Sequence, residues 1–239
     1  MRMLFSAVIL AVLFFTSVSC TDQTPLPPQD RSQKTQDFSV WLIPQKDEHN
    51  YAQFQKCIED LSTQHAIAAE DIFVPHVTLY WGRSTDLGLQ SIAREIQRIA
   101  RNNEPVTLTI AGMGATRDRF KSLFITFSKA PVLHQWSDEI SKVWGVQKTG
   151  YILLPHLSLF YPVQGMEMPL KEKIAMMNDV MINYGEPLQW FTENYSPDRE
   201  FDRGYTIVFD RIQLRREDDE NKVSSWVPVS EYTFSNTPP

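Results

Sequence analysis

Two hexapeptides carry side chains able to do chemistry: Pro75-His76-Val77-Thr78-Leu79-Tyr80 and Pro155-His156-Leu157-Ser158-Leu159-Phe160. Each reads Pro-His-apolar-hydroxyl-Leu-aromatic. The alternation around the polar pair predicts a β-strand. In a strand, residues i and i+2 point to one face, so His76 shares a face with Thr78 and His156 with Ser158. Val77, Leu79, Leu157 and Leu159 turn the other way, into apolar packing. Two histidines facing one cleft can form an acid–base pair, because an ordinary imidazole pKa of about 6.5 lets one ring be neutral and the other charged near neutral pH. The neutral ring takes a proton from water, and the charged ring gives one to a leaving oxygen. Hydroxyls beside them can donate hydrogen bonds to phosphate oxygens, where negative charge grows in the transition state. Such a set needs no metal and suits in-line attack on a phosphodiester, above all a strained cyclic one.

A single strand histidine is ordinarily a satisfied structural group. Recurrence of the whole pattern in two halves of the chain favours a site. Two histidines could also ligate a metal, but no third His or carboxylate stands at a helpful local spacing, so neither a metal nor another cofactor is expected. His49, His65 and His134 fall in loop or helix positions with no partner pattern and read as surface residues.

The elements that must hold these strands follow from periodicity. Strands are predicted at 38–44, 73–81, 106–110 (ending at Gly112-Met113-Gly114), 123–127, 154–161, 205–214 and 226–234. A slip of alternation at Asp210-Arg211 marks a bulge. Helices are predicted at 50–64 with Phe54, Cys57, Ile58 and Leu61 inward, and at 87–101 with Leu89, Ile92, Ile96 and Ile99 inward. Two more are predicted at 131–144 (Leu133, Trp136, Ile140, Val143) and 169–183 (Leu170, Ile174, Met177, Met181). A strand and a helix precede each histidine strand, and a helix follows it. This order predicts an α+β fold of two similar lobes, with the histidine strands side by side across a pseudo-twofold axis.

Composition is ordinary globular material, 42% hydrophobic and 22% charged. The net charge of −6 argues against a general grip on nucleic-acid backbone, which wants a basic surface, and leaves room for a pocket that takes one phosphate. Two cysteines, Cys20 and Cys57, exclude a disulfide framework and a cysteine-built zinc site. Residues 1–20 read as a secretory signal: Arg2, an apolar run from Met3 to Phe15, then small polar residues up to Cys20. Cys20 admits two readings, the lipidated cysteine of a lipoprotein signal or a bystander to plain cleavage. Residues 21–37, with Pro25, Pro27 and Pro28, read as a flexible tether. Residues 38–235 then form the working domain, exported to a periplasmic or extracellular site.

His-x-Thr and His-x-Ser on paired strands resemble the signature of the 2H phosphoesterase superfamily, and within it the plant and yeast type of cyclic phosphodiesterase. Ser39-Val40-Trp41-Leu42-Ile43-Pro44 is similar to that family's opening strand. Phe73 to Thr78 and Pro155 to Tyr161 are similar to its two motifs, and Arg211-Ile212-Gln213-Leu214 through an acidic turn to Trp226 is similar to its end. The resemblance implies a bilobal fold with a cleft between antiparallel sheets. It implies metal-independent hydrolysis of nucleoside 2′,3′-cyclic phosphates to 2′-phosphates, or of ADP-ribose 1″,2″-cyclic phosphate. By motif position, His156 would be the base, His76 the acid, and Thr78 and Ser158 the phosphate donors. Trp41 and Tyr161 match aromatic positions of the family's pocket, where a base can stack. Arg83, Arg117, Arg119, Lys121 and Lys148 are candidates for further phosphate contacts, and the loop at 183–204 for a lid. The expected partner is a small cyclic nucleotide or sugar phosphate, bound by a monomer. RNA end-processing or 2′-5′ RNA ligation, and a catalytically silent nucleotide-binding module, stand as alternatives.

Overall fold

The computed structural model describes residues 34–46, 50–117, 119–147, 150, 152–162, 166, 168–184, 206–219 and 222–235. The segment expected to be a signal, Cys20, Lys148 and nearly all of the 183–204 loop lie outside them. The order is β1 (Gln36–Pro44), α1 (Asn50–Gln64), β2 (Val77–Ser84), α2 (Asp86–Asn102), β3 (Val106–Ala115), β4 (Leu123–Phe127) and α3 (Pro131–Ser141). There follow β5 (Val146–Gln147), β6 (His156–Phe160), α4 (Leu170–Tyr184), β7 (Thr206–Glu217) and β8 (Trp226–Thr233). The short β5 carries no periodic signal; it is created by pairing with Arg83 and Ser84 of β2.

Among the described residues all strand pairs are antiparallel. The two expected sheets join into one eight-stranded sheet in the order β1-β2-β6-β4-β3-β7-β8, and β7 also pairs with β1. The circuit β7-β1-β2-β6-β4-β3 is therefore closed. Exchanging β1 with β4, β2 with β6 and β3 with β7 reproduces the same order. The pseudo-twofold axis thus passes between β2 and β6, whose single paired position is Val77 with Leu157. These are the residues immediately after His76 and His156, so the joint between the lobes is also the place where the two motifs meet.

Among the described residues each lobe carries two helices. α2 packs on β7, β8 and β2, with α3 beside it on β2; α1 packs on β6 and α4 on β3. Of the inward residues the spacing predicts in the first three helices, Phe54, Cys57, Ile58, Leu61, Leu89, Ile92, Ile96, Ile99, Leu133, Trp136 and Ile140 are buried, while Val143 lies past the end of α3 and is half-buried. Burial pushes the Cys57 thiol up to about 12, which makes it an inert core residue. The fourth helix departs from the expected stripe. Leu170 and Ile174 are exposed, and Lys173, Met176 and Val180 are buried instead. Lys173 Nζ donates to Thr116 O, just past β3, at 2.8 Å, a bond made with this face of the helix turned inward. Apolar residues on nearly every side of α4 left the rotation open to such a polar contact.

Local details fix the entries. Thr85 caps α2 by accepting from Gly88 N at 3.2 Å. Gly145 sits at φ +87°, and a Cβ there would meet Gly88 Cα at 2.7 Å. Only glycine allows this approach, which lets Ser84 Oγ donate to Gly145 O at 2.8 Å. On β7, Arg211 faces Ile43 while Phe209 faces Pro44, leaving Asp210 as the extra residue of the predicted bulge. Arg211 Nη2 then donates to Pro44 O at 2.8 Å.

Candidate active site

β1 lies between β2 and β7, and its polar face is the floor of a cleft. Register aligns three rows across it: Thr78–Trp41–Gln213, Trp81–Ser39–Arg215 and Arg83–Asp37–Glu217. The β1–β2 register slips between Val40 and Trp41, with Leu79 as the extra residue on β2. The bulge inverts the faces beyond it. Tyr80 turns into the core against Phe38, with ring centroids 5.9 Å apart, and Trp81 turns to the cleft. Simple alternation from Thr78 assigns these two residues the other way round.

A cavity of about 350 Å³ opens on this floor, lined by Ser39, Trp41, His76, Thr78, Trp81, Phe120, Lys121, His156, Tyr161, Glu217 and Trp226. Five of the six residues singled out from sequence line it: His76, Thr78, His156, Trp41 and Tyr161. Ser158 does not. Its side chain is buried, and Oγ donates to Phe120 O at 3.0 Å.

The two histidines are held by the same device. His76 Nδ1 lies 2.8 Å from Val74 O, and His156 Nδ1 lies 2.6 Å from Leu154 O. A carbonyl can only accept, so each Nδ1 carries a proton and each Nε2 remains for chemistry. The proline at the residue between carbonyl and histidine keeps the backbone extended there. Beyond this lock the rings differ. His76 is 3% exposed; it stacks on Trp41 with centroids 3.5 Å apart and meets Phe73 edge-on. Burial lowers its pKa to about 3; the Val74 hydrogen bond opposes the shift, while Arg215 and His156 add to it. Burial therefore holds His76 neutral. His156 is half-buried, with the edge of Phe124 beside it.

Trp41 does not offer a face to a ligand. His76 reaches it from the β2 side, and the Arg215 guanidinium lies 4.5 Å from its ring from the β7 side. Its role is to hold His76. Arg215 is itself fixed by Trp226 O and by Gln213 Oε1. Tyr161 stacks on Phe73 at 4.0 Å and lies edge-on to Phe120 and Trp226. Of the cations proposed from sequence, Lys121 lines the cavity. Arg83 pairs with Asp37 at 2.7 Å, Arg119 Nε donates to Pro162 O at 2.8 Å, and Arg117 is exposed. Among the described residues no group of three His, Cys, Asp or Glu side chains could hold a metal ion.

The family model described as cyclic phosphodiesterase-like protein matches residues 37–196, a span that contains both histidine motifs. The chain belongs to the cyclic phosphodiesterase-like family. It is thereby a phosphoesterase of the 2H superfamily. The match stops before β7 and β8, so Arg215, Glu217 and Trp226 of the cleft lie beyond it. Among curated proteins none matches the chain. Solved structures share the fold at low identity. A crystal structure described only as a phosphoesterase is 12% identical with a TM-score of 0.50, covering 85% of this chain and 100% of that one. E. coli LigT complexed with 3′-AMP is 12% identical with a TM-score of 0.49, covering 85% and 100%. TT0787 of Thermus thermophilus is 12% identical with a TM-score of 0.49, covering 83% and 97%. At these identities the likeness is one of fold.

Proposed function

We propose that this phosphoesterase hydrolyses nucleoside 2′,3′-cyclic phosphates to 2′-phosphates with His76 and His156 as its acid–base pair. The observation that carries the reading is the juxtaposition of the two motifs at the Val77–Leu157 joint, with both histidines lining one cavity. A volume of about 350 Å³ lies at the low end for small-molecule sites and favours a mononucleotide over ADP-ribose cyclic phosphate.

His156, the more exposed ring, is the base. Its Nε2 takes a proton from a water entering from solvent, and the water oxygen forms a bond to phosphorus. The phosphorus–O3′ bond breaks, and His76 Nε2–H protonates the departing O3′. One water is consumed, and the 2′-phosphate leaves. Burial holds His76 neutral, so it acquires this proton as the anionic phosphodiester binds. A buried imidazole that holds its proton weakly is a strong acid once charged. Thr78 and Lys121 face the phosphate. Ser158 joins them only by moving its hydroxyl proton off Phe120 O. No step calls for a metal.

The test is turnover of 2′,3′-cyclic AMP in EDTA with product identification, alongside His76→Ala and His156→Ala. A 2′-phosphate product, lost in both variants, supports the reading; preference for oligonucleotides over mononucleotides would replace it with RNA end-processing, and absence of turnover on either would sink it. We also propose export, on the apolar run Met3 to Phe15 followed by a polar tether. Mass spectrometry of the mature N-terminus checks this, and an intact Met1 in the native host overturns it.

A further inference from the structure

The cleft has two chemically different ends. The histidines and Thr78 make one end suited to an anion. At the other stands a carboxylate, Glu217, only 7% exposed yet lining the same cavity. Its row, Arg83–Asp37–Glu217, lies four β1 residues from the Thr78–Trp41–Gln213 row, about 13 Å along the strand. A buried carboxylate repels a phosphate and, when ionised, only accepts hydrogen bonds. It therefore belongs with the part of the substrate that is not phosphate.

Two neighbours sharpen what that part must be. Trp81 Nε1 donates to Glu217 Oε2 at 3.0 Å, which fixes the carboxylate's orientation. Ser39 stands directly opposite Trp81 and Arg215 in the register, diagonal to Glu217 across the β1–β7 pair. Its side chain is 2% exposed and lines the cavity, and its Oγ has no hydrogen-bond partner among the described residues. An orphaned buried hydroxyl costs stability unless something outside the chain satisfies it. The set thus asks for a ligand edge with adjacent donors for Glu217 and an acceptor for Ser39.

A nucleoside 2′,3′-cyclic phosphate has used both of those ribose hydroxyls, so its remaining donors are the 5′-hydroxyl and the base. Adenine and cytosine put a ring-nitrogen acceptor next to the amino group, and uracil flanks its single N–H with carbonyls. Each would turn an acceptor toward the carboxylate. Guanine alone among the four presents N1–H beside N2–H, with O6 adjacent to accept from a hydroxyl. We propose that Glu217, Ser39 and Trp81 form a guanine-reading subsite, making guanosine 2′,3′-cyclic phosphate the preferred substrate. This rests on the cyclic phosphodiesterase reading above.

Two readouts separate the ideas: kcat/KM for the four nucleoside 2′,3′-cyclic phosphates, and calorimetric Kd values for 2′-GMP and 2′-AMP. Both are measured on the full chain and on Glu217→Gln and Ser39→Ala. The expected guanine-over-adenine ratio is about 10- to 100-fold in the unmodified protein; it falls toward unity in Glu217→Gln and partway in Ser39→Ala. Equal treatment of the four bases overturns the subsite, as does a Glu217→Gln loss shared equally by all of them, which would mean a structural carboxylate. Selective 2′-GMP binding without turnover of any cyclic nucleotide keeps the subsite and rejects the hydrolase reading. Even turnover of all four does the reverse.

Discussion

The two histidine strands are related by the pseudo-twofold axis, yet their rings live in different surroundings. Both share the Nδ1 lock to the carbonyl two residues back, which belongs to the motif itself. What differs comes from other strands. His76 is pressed between Trp41 of β1 and Phe73, with Arg215 of β7 behind the tryptophan. His156 meets the edge of Phe124 in β4 and stays half-open. The hydroxyls diverge in the same way, Thr78 lining the cavity and Ser158 bonded to Phe120 O. A repeated motif can thus supply two equivalent lone pairs, while the packing around it buries one ring, His76, and lowers its proton affinity.

The largest effects should come from the rings. Each His→Ala change should lower kcat/KM on a 2′,3′-cyclic nucleotide by about 10²–10⁴-fold. A substrate with a 4-nitrophenolate leaving group separates them, because that group departs without a proton. His76→Ala should recover much of its loss on such an ester, and His156→Ala should not. The opposite pattern would exchange the two roles. Next come the hydroxyls. Thr78→Val should cost about 10²–10³-fold in kcat if it acts as an oxyanion-type donor. Ser158→Ala should cost far less, since its proton must first leave Phe120 O; its larger signature is a loss of about 1 kcal/mol in urea stability for the missing buried bond. Equal kinetic losses would show that the lobes are functionally more alike than their packing.

Charge should also move on binding. A phosphodiester monoanion that does not titrate near neutrality should take up protons from solution at pH 7, as His76 becomes charged beside it. Calorimetry in buffers of different ionisation enthalpy measures this, and His76→Gln should abolish the uptake. Binding without uptake would make neutral His76 the base.

How far the sequence reaches depends on the range of the interaction. The motif strands, the Asp210 bulge and the inward faces of three helices were legible because each is a local pattern. Trp81 was hidden by the extra residue Leu79 in β2, which breaks period two in a way that only the β1 register reveals. Arg215 and Glu217 were hidden because β7 reaches β1 only when the strand circuit closes. A signal for them exists in hindsight: Gln213, Arg215 and Glu217 alternate with Ile212 and Leu214, so β7 has a polar face that needed a destination. Trp41 was legible as a cleft residue, but its two covered faces depend on His76 and Arg215 arriving from opposite neighbours.

A thermodynamic effect tests the burial directly. His76 has its depressed pKa, about 3, only in the folded chain; unfolded, it titrates near the ordinary 6.5. Between those values the unfolded chain binds a proton that the folded chain refuses, so stability rises with pH through that window. The contribution is complete above about 6.5 and is lost as pH falls toward about 3. The urea midpoint should accordingly drop between pH 7 and pH 4. His76→Gln should remove part of that slope, whatever it does to the midpoint at pH 7, while His156→Gln keeps the His76 contribution. If the slope is unchanged in His76→Gln, burial does not hold the ring neutral, and the packing argument for a neutral His76 loses its basis.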